Sequence, residues 1–496
     1  MKQVEIYRIF EITLPGTAAE GSFQTEAATY EVKGFLSGEN QVTVRFMPDA
    51  LGDWHYLLTS DTETVSGNFL CTPAAEENHG PVQVRGRKFA YADGSRYLPF
   101  GTTCYAWAHQ TEALREETLN TLKNSPFNKV RMLLFPKSTI YCEYEPACFP
   151  FLKNGEGKWD VHQPDQRFWQ DFEAQILELD KLGIEADLIL FHPYDRWGFA
   201  SLSREEGLAY LDYCIARLGA YKNIWWSIAN EYDLVLGKTE ADWDAYGERV
   251  FALDQGRHLL SIHNCCQPYP DRGWISHCSI QTNFLRLTLT YSWAYQKPIV
   301  IDECSYEGDL EFTWGGMSAF EMVHRTWMAV CCGGYCTHGE TYHDDNEILW
   351  WGKGGKIRGE SAERIAFLKE LLESLPGTPE AAMANLQLDG GEGTQNSLAM
   401  ALGAAMERMP EGLKTLFMAE LIPMVCGTGG YSLFYAGRVC QSHMDVWCPG
   451  AGAFRAEVID IWDMTRTPAG EITGGGRIKL PAKEGQAILL TKIREA

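Results

Sequence analysis

Hydrophobic and polar positions alternate with two different periods along this chain, and the switches between them divide it into three. Up to about residue 72 the period is two. YEVKGFL, QVTVRFMP and WHYLLTS read as short strands, with GEN and DALGD as turn signals between them. No helical stretch intervenes, so residues 1–75 are expected to form a β-sandwich. The polar stretch PAAEENHGP, starting at Pro73, reads as a linker. From residue 82 to 376, strand-like apolar runs alternate with amphipathic helices. Phe168, Phe172, Ile176 and Leu179 fall on one helical face, and Leu208, Leu211, Ile215 and Leu218 on another. After Pro376 the period returns to two in YSLFYAG, AEVIDIWDM, GRIKLP and AILLTKI, so a second β-sandwich is expected over residues 377–496.

The middle segment can be counted. YLPFGTTCYAW, KVRMLLFP, EADLILFHP, NIWWSIANE, HLLSIHN, CSIQTN, PIVIDE and GGYCTHGE read as buried strands. Eight strands, most followed by a helical stretch, predict an α/β fold: a central (β/α)8 TIM barrel flanked by the two β-sandwiches. In such a barrel the active site lies at the C-terminal ends of the strands. Polar groups gather at those ends. Trp107 and His109 end strand one, and Arg131 lies on strand two. His192, Tyr194, Asp195 and Trp197 follow strand three, and Asn230 and Glu231 end strand four. His263 and Asn264 end strand five, Asn283 follows strand six, Glu303 ends strand seven, and His338 and Glu340 end strand eight. Any one of them could simply cap a helix or satisfy a loop. Their joint placement around one pocket is what points to chemistry.

Glu231 and Glu303 carry the sharpest signal, because each follows an apolar run that must be buried. Burying a carboxylate costs several kcal/mol unless it is paired or used. Strands four and seven of a barrel face each other across the mouth, so the two glutamates are expected to form the carboxylate pair of a retaining glycosidase. The cluster His338, Glu340, His343, Asp344 raises the alternative of a metal-dependent hydrolase. Its spacing is not that of a zinc-protease helix, and a strand end sends alternate residues to opposite sides. No metal and no cofactor are therefore expected. A non-catalytic carbohydrate-binding barrel is the other alternative, but it would not need both glutamates.

Composition narrows the partners. The 496 residues carry Lys+Arg 43 against Asp+Glu 66, a formal net charge of −23. Such a surface repels phosphate backbones and anionic lipid, so nucleic-acid and membrane partners are not expected. The 15 cysteines are scattered, several within apolar runs, and no signal-peptide pattern opens the chain. Reduced thiols in a cytoplasmic protein are the expectation. Homo-oligomerisation is left open.

The chain also resembles a known group. Asn-Glu ending strand four and Glu ending strand seven is the pattern of the clan A glycoside hydrolases. The stretches LPFGTTCYAWAHQ, CTHGETY and ILWWGKGGKIRGESAERIAFL resemble the apiosidase-like group, whose members carry β-domains at both ends. The resemblance implies Glu231 as acid/base and Glu303 as nucleophile. It implies Asn230 on the sugar hydroxyl beside the reacting carbon, and Arg131 holding the nucleophile ionised. His192, His263 and His338 would bind sugar hydroxyls, and Trp107 would offer a face to a ring. His109, Asn283, Glu340 and Trp351 complete the expected substrate-binding set. The expected activity is exo-acting hydrolysis, with retention, of a terminal sugar on a small oligosaccharide or plant glycoside.

Overall fold

The computed structural model describes residues 2–268, 271–381, 400–414, 417 and 424–493. It divides into two compact units, Met1–Gln281 with Gly339–Ile357, and Thr282–His338 with Arg358–Ala496.

The first unit opens with two β-sheets, five- and three-stranded, over residues 2–72. The period-two apolar residues Phe10, Phe23, Val42, Val44, Phe46, Trp54, Leu58 and Phe69 meet between them as one core. Strands alternating with helices follow: β1 (Gly101–Thr103), α1 (Glu112–Lys123), β2 (Lys129–Leu133), α2 (Gln166–Lys181), β3 (Glu185–Phe191), α3 (Arg204–Leu218), β4 (Ile224–Ala229), α4 (Glu240–Asp254) and β5 (Leu259–Ser261). The five strands form one parallel sheet in sequence order. A sixth, β6 (Cys278–Gln281), is joined to β5 by a parallel bridge between His263 and Ser279. Among the described residues no helix separates β5 from β6.

Each strand is buried on both faces, but the faces differ. Val130, Met132, Ala186, Leu188, Leu190, Ile224, Trp226 and Ile228 pack in the main apolar core with Phe168, Phe172, Ile176, Leu211 and Leu218 of the helices. The alternate positions carry Lys129, Arg131, Glu185, Asp187, Trp225 and Ser227, equally buried. Two pairs of polar groups meet on that face: Lys129 Nζ donates to Asp187 Oδ2 at 2.7 Å, and Trp225 Nε1 to Glu185 Oε2 at 3.0 Å. A hairpin of Val82–Arg85 and Lys88–Tyr91 sets Phe89 against Trp225, near the start of β4.

A charged clamp fastens the N-terminal sheets to the helices. Arg45, on the strand Gln41–Phe46, donates to Glu173 of α2, to the Arg217 carbonyl (2.9 Å) and to Tyr221 Oη (3.2 Å). Arg217 of α3 donates to the same Glu173 carboxylate at 2.7 and 3.1 Å, and both guanidiniums lie over the Phe35 ring.

The second unit holds α5 (Leu287–Tyr295), β7 (Ile299–Glu303), α6 (Ala319–Cys331) and β8 (Tyr335–Cys336), with β7 and β8 parallel. The short helix α7 (Trp350–Lys353) belongs to the first unit and α8 (Ser361–Glu373) to the second. After α8 come a six-stranded and a two-stranded antiparallel sheet, around a core that includes Val425, Phe434, Phe454, Ile488 and Leu490. All eight runs read as buried strands of the middle segment contain a strand. All 15 cysteines are free. Among the described residues no helix is long and apolar enough to cross a membrane.

Candidate active site

At the end of β4 the backbone enters the left-handed region at Glu231. Asn230 continues the ladder, its N–H donating to the Phe191 carbonyl at 2.9 Å. Glu231 then breaks it, with φ 47° and ψ 54°, in the left-handed region. For a residue with a side chain this costs about 1–3 kcal/mol and persists only where the surroundings enforce it. They do so here. The Glu231 N–H donates to His263 Nδ1 at 3.4 Å, and the Tyr232 N–H to the His263 carbonyl at 3.0 Å. One turn on, the Asp233 carboxylate accepts the N–H groups of Cys265, Cys266 and Gln267 at 2.6, 2.7 and 3.0 Å, which fixes the loop after β5.

The side chains at this bend form one hydrogen-bonded chain. Arg131 is fully buried on β2. Its Nη2 donates to Asn230 Oδ1 at 2.7 Å, and its Nη1 to Tyr105 Oη at 3.2 Å. Tyr105 in turn donates to Asn230 Oδ1 at 3.2 Å. Guanidinium can only donate, so the amide presents its oxygen to Arg131 and its Nδ2 to Glu231. That Nδ2 lies 3.1 Å from Glu231 Oε2, and the Tyr194 hydroxyl donates to the same oxygen. A buried carboxylate thus receives two donors on one oxygen.

Lys137 completes the group. It lies four residues beyond β2, is 2% exposed, and holds its ammonium 4.0 Å from the Tyr105 ring centroid, 4.2 Å from Tyr194 and 4.5 Å from Trp351. Trp351, on α7, is edge-on to Tyr105, and the Tyr105 and Ala106 N–H groups donate to the Trp351 and Gly352 carbonyls at 2.9 and 2.8 Å. The segment after β1 and α7 are in this way stitched together beside the Asn-Glu pair.

The structure therefore gathers Arg131, Asn230, Glu231, His263 and Trp351 of the expected residues. Tyr194, which the sequence also places after strand three, joins them, and the structure adds Tyr105 and Lys137. Other expected residues have different surroundings. His192 donates from Nε2 to the Phe135 carbonyl (3.2 Å) and accepts the Tyr194 N–H on Nδ1 (3.2 Å). Burial, with the nearby Lys137 charge, holds its pKa down to about 3. Both ring nitrogens serve the main chain. His109 donates to the Leu133 carbonyl at 3.1 Å and lies against Phe168 and Phe172 of α2, and burial lowers its pKa to about 4. Trp107 is fully buried in the main apolar core. Asp195 accepts the N–H groups of Trp197, Gly198 and Ala200 and so shapes its own loop. Glu340 is buried at 1% exposure.

In the second unit Glu303 ends β7 at 9% exposure, its carbonyl accepting the Thr282 N–H at 3.0 Å. Arg325 of α6 braces the following residues. It donates to the Cys304 carbonyl, to Asn283 Oδ1 at 2.7 Å and to Glu321 Oε1 at 2.7 Å. Ser305 Oγ also meets Asn283 Oδ1, at 3.0 Å. Asn283 is thus part of the scaffold behind Glu303. His338 is buried, and burial alone pushes its pKa down to about 3.

The chain as a whole aligns with solved structures. A putative glycoside hydrolase from Bacteroides vulgatus ATCC 8482 aligns over 99% of this chain and 100% of its own, with 32% identity and a TM-score of 0.86. A second protein from the same organism, a glycoside hydrolase family 5 member, aligns over 84% of this chain and 94% of its own at TM-score 0.60. At 14% identity it shows the likeness of fold alone. No curated protein matches the chain. Parallel α/β repeats with carboxylates at the strand ends, in a chain so close to that first relative, define a glycoside hydrolase. Residues 83–378 match the apiosidase-like catalytic domain, and the chain belongs to that family. Residues 3–61 and 422–491 match two domains of unknown function, DUF5060 and DUF5605.

Proposed function

We propose that this glycoside hydrolase is a retaining exo-glycosidase that removes a terminal sugar from a small oligosaccharide or plant glycoside, with Glu231 as acid/base and Glu303 as nucleophile. The observation that carries the reading is the built environment of Glu231. Its backbone is bent against preference, and its carboxyl is fixed by Asn230 and Tyr194. A merely structural carboxylate needs no such bend. The eight strands β1–β8 would close as a (β/α)8 barrel over residues 82–376, between β-sandwiches at 1–75 and 377–496, bringing the ends of β4 and β7 to one mouth. The free thiols suit a reducing compartment, so we place the enzyme in the cytoplasm, acting on small imported substrates.

The chemistry runs in two steps. Glu231 gives its proton to the leaving-group oxygen while Glu303 attacks the anomeric carbon, forming a covalent glycosyl-enzyme. Glu231, now a carboxylate, takes a proton from water as that water attacks the same carbon, and Glu303 leaves. Two inversions give retention. Asn230, with its oxygen held by Arg131, would meet the hydroxyl beside the anomeric carbon, a contact that strengthens as charge develops there.

A panel of aryl glycosides (apiofuranoside, arabinofuranoside, xyloside, galactoside, glucoside) identifies the sugar. On that sugar, Glu303→Ala should lose turnover with every leaving group. Glu231→Ala should still release dinitrophenol, which needs little protonation, and added azide should yield a glycosyl azide of retained configuration. An azide adduct of inverted configuration, or near-normal turnover by Glu303→Ala, overturns the assignment.

A further inference from the structure

We infer that Lys137 is a positioning residue that sets the pH range over which Glu231 holds its proton, acting through the two tyrosines whose faces it covers. The inference rests on Glu231 being the acid/base.

The Lys137 ammonium lies over the rings of both Tyr105 and Tyr194, and each of these phenols leads to Glu231. Tyr194 donates directly to Glu231 Oε2. Tyr105 donates to Asn230 Oδ1, and Asn230 Nδ2 donates to the same Oε2. A cation on a ring face draws electron density from the phenol and makes its O–H the stronger donor. With the site only 2% exposed at Lys137, water screens this little. Hydrogen bonds to a carboxylate favour its charged form. The ammonium's own field has the same sign. Both paths therefore make Glu231 release its proton at lower pH than burial alone would set.

Other charged and titratable groups surround the relay. Arg131 from β2 acts through the Asn230 amide, and His263 from beyond β5 accepts the Glu231 N–H. Cys265 senses the Glu231 charge, and Asp233 sits one turn on. His192 and Cys142 feel Lys137 itself. In the proposed pair, the Glu303 charge would oppose Lys137. Lys137 covers both rings, and the Arg131 guanidinium lies over the Tyr105 ring at 5.7 Å.

The acid must be protonated to act, so the alkaline limb of kcat/KM follows its pKa in the free enzyme. On a phenyl glycoside of the sugar identified above, Lys137→Met should move that limb upward by about one pH unit. Lys137→Arg, which keeps a cation able to stack on aromatic faces, should leave the limb close to wild type. Tyr194→Phe should raise the limb as well, and Lys137→Met in that background should add less than it does alone. A role in packing alone would lower kcat or the melting temperature without moving the limb. The inference is overturned if the Lys137→Met limb coincides with wild type, or if Lys137→Arg shifts as far as Lys137→Met. Should Lys137→Met not fold, Lys137→Gln takes its place, and an unmoved limb in Tyr194→Phe is by itself decisive against the relay. Glu231→Gln separates this from the parent reading. If that variant keeps the wild-type alkaline limb, Glu231 is not the acid; if it loses the limb while Lys137→Met leaves it in place, only the lysine inference fails.

Discussion

Glu185 opens β3 with its carboxyl buried at 4% exposure and a single indole N–H, from Trp225, on Oε2 at 3.0 Å. Burial raises its pKa from the ordinary 4.5 to about 8, against the pull of Lys222 and of the Trp225 bond. The folded protein thus keeps this proton across neutral pH, whereas the unfolded chain gives it up above 4.5. Between these values the unfolded state binds fewer protons, so stability drains away as pH rises through the window. At about 1.4 kcal/mol per pH unit, the cost accumulated by pH 7 is roughly 3 kcal/mol. Glu185→Gln removes the titration and keeps a carbonyl oxygen for Trp225. The variant should therefore match wild type in urea resistance near pH 4.5 and exceed it increasingly towards pH 8. At neutral pH the gain should be about 2–3 kcal/mol. Urea-unfolding midpoints of both proteins at a series of pH values test this directly. Parallel midpoint curves, or a gap that widens towards acid, would refute the reasoning.

Two further outcomes follow from the buried charges. Arg131→Lys keeps the charge but loses the fork that holds Asn230 Oδ1 and Tyr105 together. A hydrogen bond from a charged group contributes about 1.5–3 kcal/mol, so kcat/KM on the identified aryl glycoside should fall roughly tenfold to a hundredfold; full activity would show that the Asn230 amide needs no brace. Glu173→Gln leaves the Arg45 and Arg217 guanidiniums buried around a neutral amide, and thermal unfolding should register a loss of about 3–5 kcal/mol. A loss below about 1 kcal/mol would mean that water already compensates the clamp.

Much of this architecture was legible from residue order, for a definable reason. A buried parallel strand shows as an apolar run, and each of the eight runs contains a strand, down to the three residues Leu259–Ser261 and the two residues Tyr335–Cys336. The polar face of those strands was harder to see. Lys129, Glu185 and Asp187 look like ordinary strand-end charges in sequence, yet they are buried and paired across neighbouring strands, which only register reveals. Glu231 stood out because a carboxylate ends an apolar run. The histidines illustrate the opposite limit. The ring nitrogens of His192 are taken by a carbonyl and an N–H of nearby loops, and nothing in the residue pattern distinguishes such a histidine from a ligand. Lys137 carried a usable signal. It is a cation placed directly after the apolar run KVRMLLFP, at the C-terminal end where the other candidate groups also fall. Its aromatic surroundings come from three separate segments and could not be read from any one of them.

The Arg45 clamp bears on how such a protein can be taken apart or recombined. Family models end at residue 61 and resume at 83, which invites a cut between them. Arg45 lies before that gap and Glu173 and Arg217 lie after it, in one buried cluster. A chain beginning near residue 83 would expose Glu173, Arg217 and the helix surfaces that the first sheets cover, and it should be recovered mostly as aggregate rather than as a trimmed enzyme. The same constraint acts on gene shuffling. An N-terminal segment from another lineage can be grafted on only with an arginine, or a compatible partner, at this one seam, so the piece that evolution can exchange is larger than the piece that sequence models outline.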